Sequence, residues 1–203
     1  MSFFERNRDE LGELGIDPER LPRGQYHTRR FPVLHAGSIP DVDLAEWDFV
    51  IDGSVSESKC LSWSDFMDMP TTSMTADIHC VTKWTKFDTT WTGVPTRLLY
   101  DQVEASSDAT HVMVTAYHGY TANLPLDDFL SETSLFAHTL DGEPLDLEHG
   151  YPLRLVVPHL YFWKSVKWVR GFTLLAEDQP GFWERNGYHM YGDPFREQRY
   201  WGD

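Results

Sequence analysis

DIHCVTKWTKFDTTWTGVPTRLL, Asp77 to Leu99, places a single cysteine where a strand-like run gives way to polar residues. Ala76 to Trp84 reads as a strand leading into a loop rich in Thr, Lys and Asp. Beyond it, Trp91 to Val103 sets Gly93 and Pro95 ahead of an apolar-periodic helix start. Cys80 stands beside His79, Lys83 and Lys86, and nearby cations favour the thiolate. A thiolate here serves as a nucleophile, a redox switch or a soft metal ligand; a buried thiol serves only as a small hydrophobe.

Outward from this stretch, short strands outnumber helices and no βαβ period is seen. WDFVIDG, Trp47 to Gly53, alternates Trp47, Phe49 and Ile51 on one side and stops at an Asp-Gly turn. Residues 62 to 69 read as a helix capped by Ser62 or Ser64 and ended by Pro70. His111–Tyr117, Leu153–Pro158 and Val166–Ala176 read as further strands, and Asn123–Ser131 as a short helix opened by its proline. Phe31–Asp41 is an extended entrance broken by Gly37 and Pro40. The expected class is α+β, mixed and strand-rich. Residues 1–30 form an N-terminal arm with a short amphipathic helix, 31–178 one domain, and 179–203 an aromatic strap packed on that domain.

The chain has 203 residues with 41% hydrophobic and 14% aromatic content, enough for a real core and an enclosed pocket. Its net charge of −15 repels phosphate backbones and anionic lipid, which argues against nucleic-acid partners. The acids lean to Asp, 19 against 13 Glu, and only five of 17 cations are Lys. That bias suits a halophilic setting, where salt screens surface carboxylates from one another. The charge-dense opening has no long apolar run, so the expectation is a cytoplasmic protein with no stable membrane insertion. Cys60 and Cys80 allow at most one disulfide and no four-thiolate zinc site. The nine histidines show no HExxH spacing, and neither a Rossmann nor a Walker loop is present.

Several donors suit a polyanionic ligand if the fold converges them. His35, His149, Arg154 and Lys167 donate, Thr115 and Ser165 donate or accept, and Arg154 presents a planar fork to phosphate.

Seven segments, spanning Leu34 to Trp201, together carry a resemblance: LHAGSIP, WDFVIDG, the Cys80 stretch, YHGYTANLPLDDFL, FAHTLDGEPL, HGYPLRLVVPHLYFWKSVKW and GYHMYGDPFREQRYW. In order and spacing the chain resembles a stand-alone molybdopterin-binding domain of the sulfite oxidase family. That family includes bacterial and archaeal sulfite-oxidase-like oxidoreductases and the catalytic subunits of protein-methionine-sulfoxide reductases. The resemblance implies a sulfite-oxidase-type fold, Mo-molybdopterin as cofactor and two-electron oxygen-atom transfer. It implies Cys80 as the metal's protein sulfur and Tyr120 as an active-site tyrosine. For the cofactor it implies His35, His79, Thr115, His149, Arg154, Ser165, Val166 and Lys167. Cys60 lies outside the motif.

One departure bears on substrate. Sulfite oxidases surround the metal with arginines, one very close to the cysteine, whereas this neighbourhood offers His79, Lys83 and Lys86. The expected substrate is therefore a small sulfoxide or N-oxide, favoured by Trp91, Tyr120, Tyr161 and Trp163 if they line the entrance. Sulfite oxidation is the alternative. Length leaves no room for a haem or dimerisation domain, so electrons are expected from a separate partner. Two readings of other classes stand beside this one: a noncatalytic pterin- or partner-binding module, and a thiol enzyme using Cys80 with His79 or His118 as base.

Overall fold

The computed structural model describes residues 10–203, and most of its strands follow the apolar alternation of the sequence. In chain order they are β1 (Tyr26–His27), β2 (Asp48–Gly53), β3 (Lys59–Ser62), β4 (Thr72–His79), β5 (Trp84–Pro95), β6 (His111–Ala116), β7 (Thr121–Pro125), β8 (Leu135–Leu140), β9 (Glu143–Pro144), β10 (Arg154–Val156) and β11 (Val169–Leu175). The short helices are α1 (Trp63–Met67), α2 (Thr96–Tyr100), α3 (Leu126–Phe129) and α4 (Phe182–Arg185). Strand-rich α+β structure is what results.

Local chemistry fixes several boundaries. Ser62 caps α1 by accepting from Asp65 N at 3.2 Å, and the Asp65 carboxylate accepts Ser62 N–H at 2.9 Å, a reciprocal capping box. Pro125 precedes α3, but residues 123–125 belong to β7, so the helix expected from Asn123 starts three residues later. The polar run after Cys80 is also not a loop. It is the twelve-residue β5, whose threonines are satisfied across the pairing with β4: Thr90 on Thr75 at 3.0 Å, Thr92 on Ser73 at 2.7 Å, and Thr89 Oγ1 donating to Ala76 O at 2.7 Å. A bulge at Ala76/Ile78 breaks the simple alternation that would have marked it.

The strands make two sheets. One runs β3-β2-β11-β6-β7, parallel only between β2 and β11. Gly171 permits that parallel approach, since at φ +148 an added Cβ would run into the Val50 carbonyl oxygen. In the other sheet β5 is central. It holds β4 along one edge and, along the opposite edge, β8 at residues 91–95 and β1 at 84–85; β10 and β9 continue from β8.

The face of β10 explains how one sheet serves two interiors. Leu153, Leu155 and Val157 join a large apolar core with Phe49, Phe136, Phe129 and Phe172. Arg154 and Val156 point the other way; Val156 enters a smaller cluster with Ile78, Cys80, Trp84, Trp91, Tyr161 and Trp163. The arm and the tail close this second cluster with Tyr26, Phe31, Trp183 and Tyr188. Residues 10–13 make a helical turn, while the part of the expected arm at residues 1–9 lies outside the described residues.

Candidate functional site

The β4–β5 hairpin turn carries Cys80. Lys83 N donates to Cys80 O at 2.9 Å and Cys80 N to Trp84 O at 2.9 Å, with Lys83 at φ +78. From the arm, Gln25 Nε2 donates to the same Cys80 carbonyl at 3.2 Å and Tyr26 N to Lys83 O at 2.8 Å, so the turn is held from behind. Both cysteines are free, Cys60 exposed on β3 and Cys80 buried. Burial pushes the Cys80 thiol above its ordinary range, against a contact of 3.2 Å to Thr82 Oγ1.

Cys80 opens onto a cavity of about 340 Å³. Of the residues the sequence singled out, His35, Cys80, Tyr120, His149, Arg154, Ser165, Val166 and Lys167 all line it, although they come from five separate segments of the chain. Its remaining walls are mainly aromatic: Phe31, Trp84, Phe162, Trp168, Trp183 and Tyr188. These the sequence reading missed. Their only signal was the concentration of aromatics in the arm, the 161–168 segment and the tail.

Arg154 is fully buried on the cavity wall. Its Nη1 donates to His149 O and its Nη2 to Ser165 O, both at 2.9 Å, and its guanidinium lies 4.1 Å over the Phe162 ring. Burial lowers its proton affinity to about 9, which leaves it charged at neutral pH. Lys167 Nζ donates to Glu148 O at 2.8 Å, and burial, then repulsion from Arg154, lowers its pKa to about 7. Among the described residues neither cation forms an ion pair with a carboxylate. A buried positive charge without a counterion is costly, so this wall is built for an anion.

His149 adds to it. Its Nδ1 meets the Asp146 carboxylate at 2.8 Å, and its Nε2 is buried with no partner. Although burial opposes it, hydrogen bonding from His149 holds Asp146 below the ordinary carboxylate range. Trp84 Nε1 is likewise buried without a partner. Two orphaned polar atoms on lining residues await a ligand's complementary groups. His35 sits at the exposed rim, its ring edge-on to Trp168 at 5.7 Å.

Tyr120 faces the cavity with its hydroxyl donating to Trp163 O at 2.8 Å. Burial, reinforced by the negative charge of Glu184, pushes its pKa well above the ordinary tyrosine value, so the hydroxyl keeps its proton.

Other expected residues lie elsewhere. His79 points away from the cavity, bonded through Nδ1 to Thr85 Oγ1 at 3.0 Å and set edge-on to Phe195, and burial lowers its pKa to about 4. Thr115 donates to Gly171 O at 3.3 Å within its sheet. His79 faces the opposite side of the chain from its neighbour Cys80, whereas no residue of β6, which carries Thr115, reaches the cavity: its alternate residues Val112, Val114 and Ala116 belong to the large apolar core. Lys83 is exposed on the turn and Lys86 reaches Arg29 O at 3.4 Å, so neither supplies the cationic field expected at Cys80. Trp91 and Tyr161 are interior core, not entrance. His118 stands on the exposed rim at φ +59. Of the two bases expected for a thiol nucleophile, His79 is turned away, while His118 shares the cavity lining with Cys80.

Among the described residues no group of three or more His, Cys, Asp and Glu is arranged to hold a metal, and no helix is long and apolar enough to cross a membrane. A metal here would take one protein sulfur and its other donors from a cofactor.

Comparisons with known proteins place the chain in a family. The oxidoreductase molybdopterin binding domain family matches residues 36–183. An uncharacterized oxidoreductase, YuiH, of Bacillus subtilis (strain 168) is 48% identical over 185 residues, covering 91% of this chain and 93% of that protein. The protein-methionine-sulfoxide reductase catalytic subunit MsrP of Pseudomonas syringae pv. tomato is 28% identical, covering 79% of this chain and 52% of that protein. The sulfane dehydrogenase SoxCD of Paracoccus pantotrophus shares the fold, with a TM-score of 0.67 at 21% identity over 75% of this chain and 43% of that chain. This chain thus spans about half the length of these last two.

Proposed function

The chain belongs to the sulfite-oxidase-like family of molybdopterin-binding oxidoreductases and is an enzyme of that kind, and on this premise we propose that it is a molybdenum-molybdopterin enzyme that reduces a small sulfoxide or N-oxide, with electrons from a separate partner. The observation that carries the cofactor is the pair Arg154 and Lys167 on the cavity wall, neither in contact with a carboxylate among the described residues, beside the orphaned His149 Nε2. A phosphate-bearing, hydrogen-bonding ligand fits that wall. Arg154 and Lys167 would hold its phosphate, with Ser165 and Val166 forming the floor between them. His149, Trp84 and His35 would meet its polar edge, and Cys80 would give the metal its protein sulfur. When bound, this group supplies two-electron exchange coupled to oxygen-atom transfer.

The chain's own part is to orient and to exclude. Tyr120 keeps its hydroxyl protonated and can turn that hydrogen bond from Trp163 O to a substrate oxygen. Phe162, Trp163, Trp183 and Tyr188 keep water from the cavity and offer apolar surface to a neutral oxide. With the two lining cations Arg154 and Lys167 holding the cofactor's phosphate, no arginine fork would remain for sulfite. We read the polypeptide as one oxidoreductase domain, 31–178, completed by its arm and strap.

Molybdenum and pterin content per chain, after expression in a host that makes the cofactor, tests the reading: near one of each is expected, and none overturns it. Cys80→Ser should abolish turnover, leave the unfolding free energy within about 1 kcal/mol, and remove one sulfur from the molybdenum K-edge first shell. An unchanged sulfur count would reject Cys80. With a viologen reductant, dimethyl sulfoxide should be reduced with a higher kcat/KM than sulfite is oxidised with ferricyanide, at low and at high salt; the reverse ranking replaces the substrate with sulfite.

A further inference from the structure

Three consecutive residues of α4 touch the site differently. Phe182 packs against the Tyr120 ring at 5.5 Å, and Trp183 lines the cavity, stacked on Tyr188 at 4.9 Å. Glu184 turns inward and is completely buried. Its Oε1 accepts from Trp163 Nε1 at 2.7 Å and pairs with Lys164 Nζ at 2.7 Å. Lys164, also fully buried, is further held by Asn123 O, Asn123 Oδ1 and Met190 O at 2.9, 2.7 and 2.6 Å. Trp163 therefore has its indole tied to Glu184 while its own carbonyl accepts the Tyr120 hydroxyl.

A buried ion pair gives little net stability relative to apolar residues of like volume. Its retention at this spot, with carboxylate Oε2 left unpartnered, has a better account in geometry than in stability. We infer that Glu184 is a positioning residue: by fixing Trp163 it sets where the Tyr120 hydroxyl stands in the cavity. This role rests on the oxidoreductase reading above, in which Tyr120 meets the substrate. Gly192 supports the same demand for a fixed indole, because a Cβ there would come within 2.8 Å of the Trp163 ring.

The test uses the cofactor-loaded full chain as wild type, Glu184→Gln, Glu184→Leu, Tyr120→Phe and the Glu184→Leu, Tyr120→Phe double variant, with activity per molybdenum on whichever probe substrate above is faster. Glu184→Leu should lower kcat about tenfold or more with KM changed less than about threefold, and Glu184→Gln, which keeps an acceptor for the indole, should recover most of the loss. In the Tyr120→Phe background the Leu substitution should change kcat by less than about twofold. Equal losses in both backgrounds would show that Glu184 acts on the fold alone and overturn the inference. Should Glu184→Leu not fold, Glu184→Asp, which withdraws the carboxylate by one methylene, takes its place in the cycle. Independently of cofactor, hydrogen exchange of the Trp163 indole N–H, identified by its loss in Trp163→Phe, should be slow in wild type and Glu184→Gln and fast in Glu184→Leu or Asp. Fast exchange in wild type overturns the positioning role. A wild type with protected indole but no molybdenum instead overturns the oxidoreductase reading on which that role depends.

Discussion

The two interiors on either side of β8 and β10 are both deeply buried, yet they solve different problems. On the Phe172 side the core side chains carry no charge, Trp47 Nε1 is a buried polar atom without a partner, and Phe129, Phe136 and Phe49 close around Phe172 at ring separations of 4.8 to 6.3 Å. On the Cys80 side the rings are interleaved with Arg154, Lys164, Glu184 and His79, and polar atoms remain unpartnered. Burial is the same; the load of charged side chains is not. The contrast separates a region selected for stability from one that holds unmet charge and hydrogen-bonding capacity for a ligand.

Breaking the apolar side should give the largest effect. Phe172→Ala should cost about 3–5 kcal/mol of unfolding free energy through the cavity it leaves, measured by denaturant titration, while pterin bound per folded chain changes little. Arg154→Leu should do the opposite. Without cofactor, stability should hold within about 1 kcal/mol or rise, because a lone buried charge is removed; pterin retention should fall by about 2–3 kcal/mol, seen as release some thirtyfold or more faster in dialysis. If both variants behave alike, the division between the two interiors fails.

A gentler probe is pH. Lys167 has its pKa lowered to about 7 in the folded chain against an ordinary value of 10.5, so the unfolded chain binds more protons between those limits. Stability of the cofactor-free protein should therefore rise from pH 7 toward 10, and Lys167→Met should flatten the rise. Affinity for inorganic pyrophosphate should fall over the same interval, as the free lysine loses its charge. Salt should give the smallest effect and touch neither interior: the unfolding midpoint should climb from roughly 0.1 M to above 1 M potassium chloride as screening shortens from about 10 to about 3 Å. A flat midpoint would remove the halophilic reading of the −15 charge.

Legibility in the sequence followed the same division. The apolar interior announces itself by alternation, so β2 with Phe49 and Ile51 and the capped α1 were readable from local pattern. β5 was not, because its threonines are satisfied by cross-strand partners that no local pattern reveals. At the site, Cys80, His149, Arg154 and Lys167 were picked out by residue chemistry and given roles by family resemblance, Tyr120 by resemblance alone, and their convergence is a product of tertiary structure. His79 failed because its strand neighbour Cys80 faces the cavity and it faces away, and Thr115 because its strand packs in the sheet and reaches the cavity only beyond its end, at Tyr117. Glu184 carried no local signal: its partner Trp163 is 21 residues away.

The cavity borrows Phe31 from the extended entrance that follows the arm, Cys80 from a central hairpin and Tyr188 from the strap. On the ribosome these arrive in that order, and the emerging chain meets them at very different times. The turn holding Cys80 can be paired with β4 and β5 long before Trp183 and Tyr188 leave the exit tunnel, so for much of synthesis the pocket has a floor and one side but no closing wall. Before Trp183 and Tyr188 pack, the cavity is an open trough to any bulky ligand, and once they pack it is a walled chamber.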